Sequence, residues 1–354
     1  MKNSVQTQNV KNNGNYFKMN LLLKTTALLA VVFILTSCRH NDDFDDLDSD
    51  GDFIATLPTA EAFTQIKEQA LENQRQHFQF SAEDGTGSFT SNSGVEININ
   101  ASCLEKAGDA VTGDIDVEFV ELFEKGNMLS TNKPTMGRLP SGDKAMLVSG
   151  GEFYINATQD GEQIDLICPL QLIVPADLTG GEDQDMTLWT GTIDEDDNLT
   201  WDEEEEDGVH DGAAGQGGDV FVEGPTYYAF VGEFGWTNVD RFYNDPRPKT
   251  TLKVSVPEGY NKTNSTVYLS YDGEPNALAN LDTFLSDEGV FSEHYGQIPI
   301  GLEVHVIFAT EDEGDWRYAI KSATIVENGV ISIVYSDTAI ATEQQLIDLI
   351  NDLP

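Results

Sequence analysis

The chain has 354 residues, with 62 acidic against 19 basic side chains and a formal net charge of -43. A field of that sign repels polyanions, and no clustered Lys/Arg footprint is present, so nucleic acid is excluded as a partner and anionic headgroups are disfavoured. Three cysteines and five scattered histidines give structural zinc no ligand set. No cofactor is expected either, because phosphate-binding glycine loops, Gly-x-Ser-x-Gly elbows and His-Glu-x-x-His motifs are all missing from the sequence.

Lys18 and Lys24 lead into an apolar stretch, Ala27 to Leu35, which Leu35-Thr36-Ser37-Cys38 closes. A charged lead-in, a short apolar core and small residues before a cysteine describe a lipoprotein export signal, too short and too promptly ended for a spanning helix. Residues 1–37 are read as that signal and Cys38 as the lipidation site; Met19 to Cys38 is by itself a complete signal, which makes Met19 an alternative start. Without residues 1–37 the chain keeps 15 basic against 62 acidic side chains, a net charge of about -47. The expected membrane contact is therefore the outer-membrane lipid bilayer through acylated Cys38, with more than one chain needed for a stable anchor.

Residues 38–58 form an acidic tether with no capacity for a packed core. Within it, Asn41-Asp42-Asp43-Phe44-Asp45 resembles the surface-export signal of Bacteroidota lipoproteins, those of flavobacteria in particular. The resemblance implies a lipid-anchored outer-membrane protein facing the cell exterior. Asp46, Asp48, Asp50 and Asp52, with Gly51 between, have the spacing of a calcium loop. The twelfth position is Leu57, where a bidentate acid should close the shell, so an acidic spacer is preferred and no metal is expected.

Residues 59–80 are assigned to a helix: Thr59 caps it, Glu61 suits its positive end, and Phe63, Ile66 and Ala70 share a face, with the pattern running to about His77. Residues 81–246 form a first β-sandwich-like module. Val95–Ile99 and Asp114–Phe119 alternate strictly, Phe153–Ala157 meets a hairpin signal at Asp160-Gly161 before Ile164–Leu166, and Leu170–Val174 ends at Pro175. An acidic excursion over 196–218 is too charged and glycine-rich to pack. Residues 247–336 read as a second, Ig-like sandwich built on Leu252–Val256, Val267–Tyr271, Leu302–Phe308 and Val330–Val334. In residues 337–354, Thr342 caps a short C-terminal helix with Gln345 in capping-box position and Leu346, Leu349, Ile350 and Leu353 as its stripe; the helix is expected to dock on the second module. The fold class is mainly β, two β-sandwich-like modules with an N-terminal and a short C-terminal helix.

Gly94–Ile99, then Cys103-Leu104, then Val111–Val117 resemble the β-sandwich module of ankyrins and netrin receptors. Asn127–Met136, Ser149–Phe153 and Gly235–Phe242 are similar to text in Bacteroidota surface proteins, so the likeness spans roughly residues 85 to 245. It implies scaffolding or binding rather than catalysis. Ala101-Ser102-Cys103 departs from the proline and glycine usual before that module's leucine.

Trp236, Asn238, Asp240 and Arg241 are a compact aromatic, amide and ionic set placed on a turn. Such a set can bind a sugar, but a Trp with an internal Asp-Arg pair closing the sandwich is preferred. Cys103 and Cys168 can bridge in an oxidising envelope, yet their apolar contexts favour two free buried thiols. His305 is expected to be a satisfied or exposed strand histidine. Asp337-Thr338-Ala339 resembles the O-glycosylation acceptor of this bacterial group, at Thr338. The function expected is non-catalytic: a binding or accessory subunit touching an outer-membrane protein complex or an extracellular ligand. The alternative is a carbohydrate-binding or polysaccharide-processing lipoprotein. Two buried carboxylates in a cleft beside Trp236 or Trp189 would favour glycan chemistry, and flat surfaces would favour protein contact.

Overall fold

The computed structural model describes residues 56–204 and 219–354. Cys38, the signal at 41–45 and the Asp46–Asp52 run lie outside them, as does most of the acidic excursion; of that excursion, Leu199–Glu203 is a strand. No helix among the described residues is long and apolar enough to cross a membrane.

Helix α1 spans Ala60–Gln74, with the Thr59 hydroxyl accepting the Ala62 N–H at 3.1 Å and Phe63 and Ala70 buried. It stops short of residue 80 because Gln76–Ser81 alternates and pairs antiparallel, Gln76 with Phe119 through Ser81 with Asp114. Helix α2, Lys125–Ser130, has no counterpart in the sequence reading. Helix α3, Glu343–Asn351, carries the expected capping box between Thr342 and Gln345. Its inward residues are Leu346, Ile347 and Ile350, while Leu349 is exposed. It packs on α2 as well as on the strands Asp315–Thr324 and Ala339–Ala341.

Most of the described strands form two face-to-face sheet pairs, and a small three-stranded sheet (165–166, 104–106, 109–110) stands beside them. In the first pair, an outer five-stranded sheet (219–222, 226–231, 170–175, 96–100, 86–90) covers an inner eight-stranded one (76–81, 114–122, 144–159, 235–242, 187–193, 199–203, 136–138, with 162–163 beside 144–159). Their shared core holds Ile97, Val117, Phe119, Phe153, Leu172 and Val239. In the second pair, a four-stranded outer sheet (283–285, 290–299, 249–255, 329–332) covers an inner five-stranded one (279–280, 265–271, 303–312, 315–324, 339–341), around Val254, Leu269, Val306 and Phe308. Met136 and Met146, from the first half of the chain, also belong to this second core.

A third cluster joins the inner sheets to one another. Trp189, Trp201 and Trp236 meet Tyr268, Ile307 and Trp316 there, with Phe63 of α1 and Leu346 and Ile350 of α3 filling in. Both faces of Ser265–Tyr271 are thereby covered, and all seven of its residues are buried. The Tyr268 hydroxyl donates to Asn132 Oδ1 at 2.6 Å, and Lys144 pairs with Asp282 at 2.7 Å across the same junction.

Cys103 and Cys168 are bridged, which corrects the expectation of free thiols. Leu104–Lys106 pairs with Asp165–Leu166, so Leu104 faces Leu166 and the cysteines flanking them are brought to a Cα–Cα distance of 5.0 Å. That separation lies within the range a disulfide spans without backbone movement.

Candidate functional site

The strand Met136–Arg138 pairs at both ends of a row. It lies parallel to 199–203 at Trp201 and Gly137, and antiparallel to 144–159 from Met136 and Met146 to Arg138 and Lys144. Strands 144–159, 235–242, 187–193, 199–203 and 136–138 therefore close a ring. Trp189, Trp201 and Trp236 fill its inward face, and Gly191 makes room for them, since an added Cβ would lie 2.7 Å from Trp201 and 2.8 Å from Trp236.

Polar side chains share that inward face. Asn238 pairs with Glu152 and Asp240 with Ser149, so Gly150-Gly151 oppose the single residue Val239 in a β-bulge. The extra residue turns both Glu152 and Ser149 inward, where strict alternation would have separated them. Gly150 suits the bulge because a Cβ there would lie 2.8 Å from the Val239 carbonyl oxygen. Ser149 Oγ donates to Asn238 Oδ1 (3.1 Å), and Asn238 Nδ2 donates to Asp240 Oδ2 (2.5 Å). Trp189 Nε1 donates to the Asp240 carbonyl at 2.9 Å.

Glu152 and Asp240 are each 0 % exposed. Among the described residues, neither carboxylate oxygen of Glu152 has a hydrogen-bond partner, and Asp240 Oδ1 has none. Burial pushes the Glu152 carboxyl well above the usual range; nearby Asp240 adds to this and Lys133 opposes it. Asp240 is likewise raised by burial, against the pull of Ser149, Asn238 and the Gly150 N–H, which face it. Lys133, also buried, is pushed down by desolvation. Its ammonium donates to the carbonyls of Thr131 (3.1 Å) and Asn132 (3.4 Å) and sits 5.6 Å from the Trp236 ring centre.

Trp236, Asn238 and Asp240 thus share one site, but within a strand, Gly235–Phe242, rather than on a turn. Arg241 is not part of it. Adjacent strand residues point to opposite faces, and Arg241 Nε pairs with Asp183 at 2.5 Å on the other side. The internal Asp-Arg pair is replaced by an Asp-Asn-Ser chain. Sequence reasoning missed Glu152, Ser149 and Lys133; the usable signal was Gly150-Gly151 inside an otherwise strand-like run, a bulge mark.

At the surface, Ser322, His305 and Asp272 are linked in series. Ser322 Oγ lies 2.9 Å from His305 Nε2, and His305 Nδ1 lies 2.8 Å from Asp272 Oδ1. The order is that of a hydrolytic triad. Ser322 sits mid-strand in Asp315–Thr324, however, and Thr324 and Glu303 form the neighbouring rung of the same kind. The arrangement reads as a cross-strand polar ladder in which His305 is satisfied at both nitrogens. Thr338 is half-buried; its hydroxyl donates to Tyr335 O (2.8 Å) and accepts from Arg317 (2.9 Å).

Two surface features could receive ligands. A cleft of about 440 Å³ is lined by Tyr154, Asn156, Gln163, Asp165, Glu233 and Phe234. On the edge strand Gly329–Ser332 and its flanks, Val326, Val330 and Val334 are 59, 65 and 48 % exposed. Among the described residues no three His, Cys, Asp or Glu side chains converge as a metal cluster. No protein-family model matches this chain, and comparison with curated proteins finds no match.

Proposed function

We propose that this chain is a lipid-anchored cell-surface protein of the outer membrane whose β body acts as a non-catalytic binding or accessory subunit. The observation that carries the reading is the run Leu35-Thr36-Ser37-Cys38 after a short apolar stretch, with an acidic tether behind it. The Cys103–Cys168 bridge supports it, because disulfides persist in oxidising compartments such as the cell envelope. The tether signal resembling that of Bacteroidota surface lipoproteins gives the outward orientation.

Protein contact is favoured by the exposed valines on a sheet edge, where unpaired backbone groups and apolar side chains suit strand addition. The test is affinity capture from detergent-solubilised outer membranes with Cys38 intact, comparing the wild type with a Val330→Asp, Val334→Asp variant. An envelope protein retained by the wild type and lost by the variant supports the reading; identical capture by both sinks the valine edge as the contact. Protease shaving of intact cells tests the address. The wild type should be removed, and Asp42, Asp43 and Asp45 changed to alanine should make the protein resistant.

Glycan binding is the second reading, and the cleft at Tyr154 favours it, since it combines aromatic faces with amides and carboxylates. Glu152 and Asp240 do lie beside Trp189 and Trp236, but both are enclosed, so a saccharide does not reach them in this arrangement. Oligosaccharide titration against a Tyr154→Ala variant separates the two readings.

A further inference from the structure

Among the described residues, Glu152 is the sharpest anomaly. A carboxyl group with no solvent contact normally has a cation or several donors beside it, because an isolated buried charge costs far more than folding can offset. Here neither oxygen has a hydrogen-bond partner among the described residues, and Lys133, the cation whose charge acts on Glu152, donates to the carbonyls of Thr131 and Asn132. A proton on Glu152 would remove the charge, but the carbonyl oxygen that remains would still have no donor among the described residues.

Asp240 repeats the pattern from the adjacent strand, with Oδ1 unpartnered and Oδ2 held by Asn238. Asn238 Oδ1 and Ser149 Oγ add neutral oxygens on the same face. These donors are all oxygen, which selects a hard cation over zinc or copper. Two carboxylates match a doubly charged ion. Mg²⁺ dehydrates reluctantly and keeps several waters, whereas Ca²⁺ accepts irregular protein-oxygen shells. A ring interior walled by three tryptophans suits the second.

We propose that Glu152, Asp240, Asn238 and Ser149 form a binding site for one Ca²⁺ ion inside the closed strand ring. The ion ties strand 144–159 to strand 235–242 across the bulge and joins the two carboxylates that otherwise repel each other.

The acidic surface will attract divalent ions unspecifically, so the readout must be local. Tb³⁺ in place of Ca²⁺ emits strongly only when close to an excited aromatic group, and Trp189, Trp201 and Trp236 line this site. The full chain, Cys38 retained, is stripped with chelator in detergent and titrated with Tb³⁺ under tryptophan excitation. Emission should reach a plateau at one ion per chain and be displaced by Ca²⁺. Glu152→Gln and Asp240→Asn should each weaken it at least tenfold, while Asp84→Asn, an exposed control, should not. Ca²⁺ but not Mg²⁺ should raise the wild-type melting temperature. Unchanged emission in both interior variants, or a wild-type melting temperature indifferent to Ca²⁺, overturns the proposal. Should the variants fail to fold, native mass spectrometry of the wild type decides: one calcium retained through buffer exchange supports the site, and none refutes it.

Discussion

Breaking the Cys103–Cys168 bridge should destabilise this protein by an amount its loop sets. The bridge closes a separation of 65 residues. Chain-entropy reasoning puts the cost of losing such a cross-link at about 4 kcal/mol, arising in the unfolded state. For a body of this size each kcal/mol moves the melting temperature by about 2 °C, so a Cys103→Ser, Cys168→Ser variant should melt roughly 8 °C below the wild type. The paired variant is preferable to either single one, which would leave a free thiol in the interior at Cys103 or beside it. Melting followed by circular dichroism, with and without a reductant on the wild type, gives the number twice. The local strands Leu104–Lys106 and Asp165–Leu166, and the Ile167 N–H donated to the Cys103 carbonyl at 2.8 Å, should keep the native arrangement in place without the bond. A loss under about 2 °C in both experiments would refute the reasoning, since it would mean that the unfolded chain is not the state the cross-link restricts.

Glu293, buried at the bulged pairing of 249–255 with 290–299, has its carboxyl pushed up to about 7, first by burial and also by Asp282. Its folded value exceeds the unfolded 4.5, so its contribution is fully present below pH 4.5 and is lost as pH rises through about 7. Between those limits stability should fall by about 3 kcal/mol, and Glu293→Gln should flatten that slope in urea melts across pH; an unchanged slope would discount burial as the cause. Tyr268→Phe should cost about 1–3 kcal/mol by stranding Asn132 Oδ1 in the interior, measured by denaturant unfolding, and a neutral result would mean that Asn132 re-pairs. Thr342→Ala should cost about 1 kcal/mol through the lost capping box of α3, with Thr342→Ser near neutral in the same assay.

The parts of the fold legible in sequence were those whose signal is local. Strict alternation placed Val95–Ile99 and Asp114–Phe119, and Asp160-Gly161 marked its hairpin because both residues take positive φ, 53° and 76°. Thr342 with Gln345 announced the start of α3. Signals that depend on partners were not legible. Met136–Arg138 is three residues long and starts two residues after Pro134, so nothing in it says that it closes a ring. Val290–Pro299 and Asp315–Thr324 are ten-residue strands whose polar residues interrupt the period, and the pairing that defines them comes from elsewhere in the chain. Leu349 and Ile347 are equivalent by composition; only the position of α2 and the inner sheet selects the second for burial.

The candidate site shows the same limit in chemical form. Asp240 and Arg241 attract notice as a pair because opposite charges adjacent in sequence suggest an ion pair. On a strand adjacency guarantees separation, and Arg241 goes to Asp183 while Asp240 goes inward. The true neighbours of Asp240 are Ser149, Glu152 and Asn238, two of them about ninety residues away. Each looks unremarkable in its own segment, and they become a site only because one extra residue at Gly150-Gly151 reverses the alternation. That reversal places a carboxylate among tryptophans, where local propensity would never put one. A bulge that aims an acid into an apolar ring costs stability unless a proton or a cation meets it there, so Glu152 is the position at which the proposed ion would act.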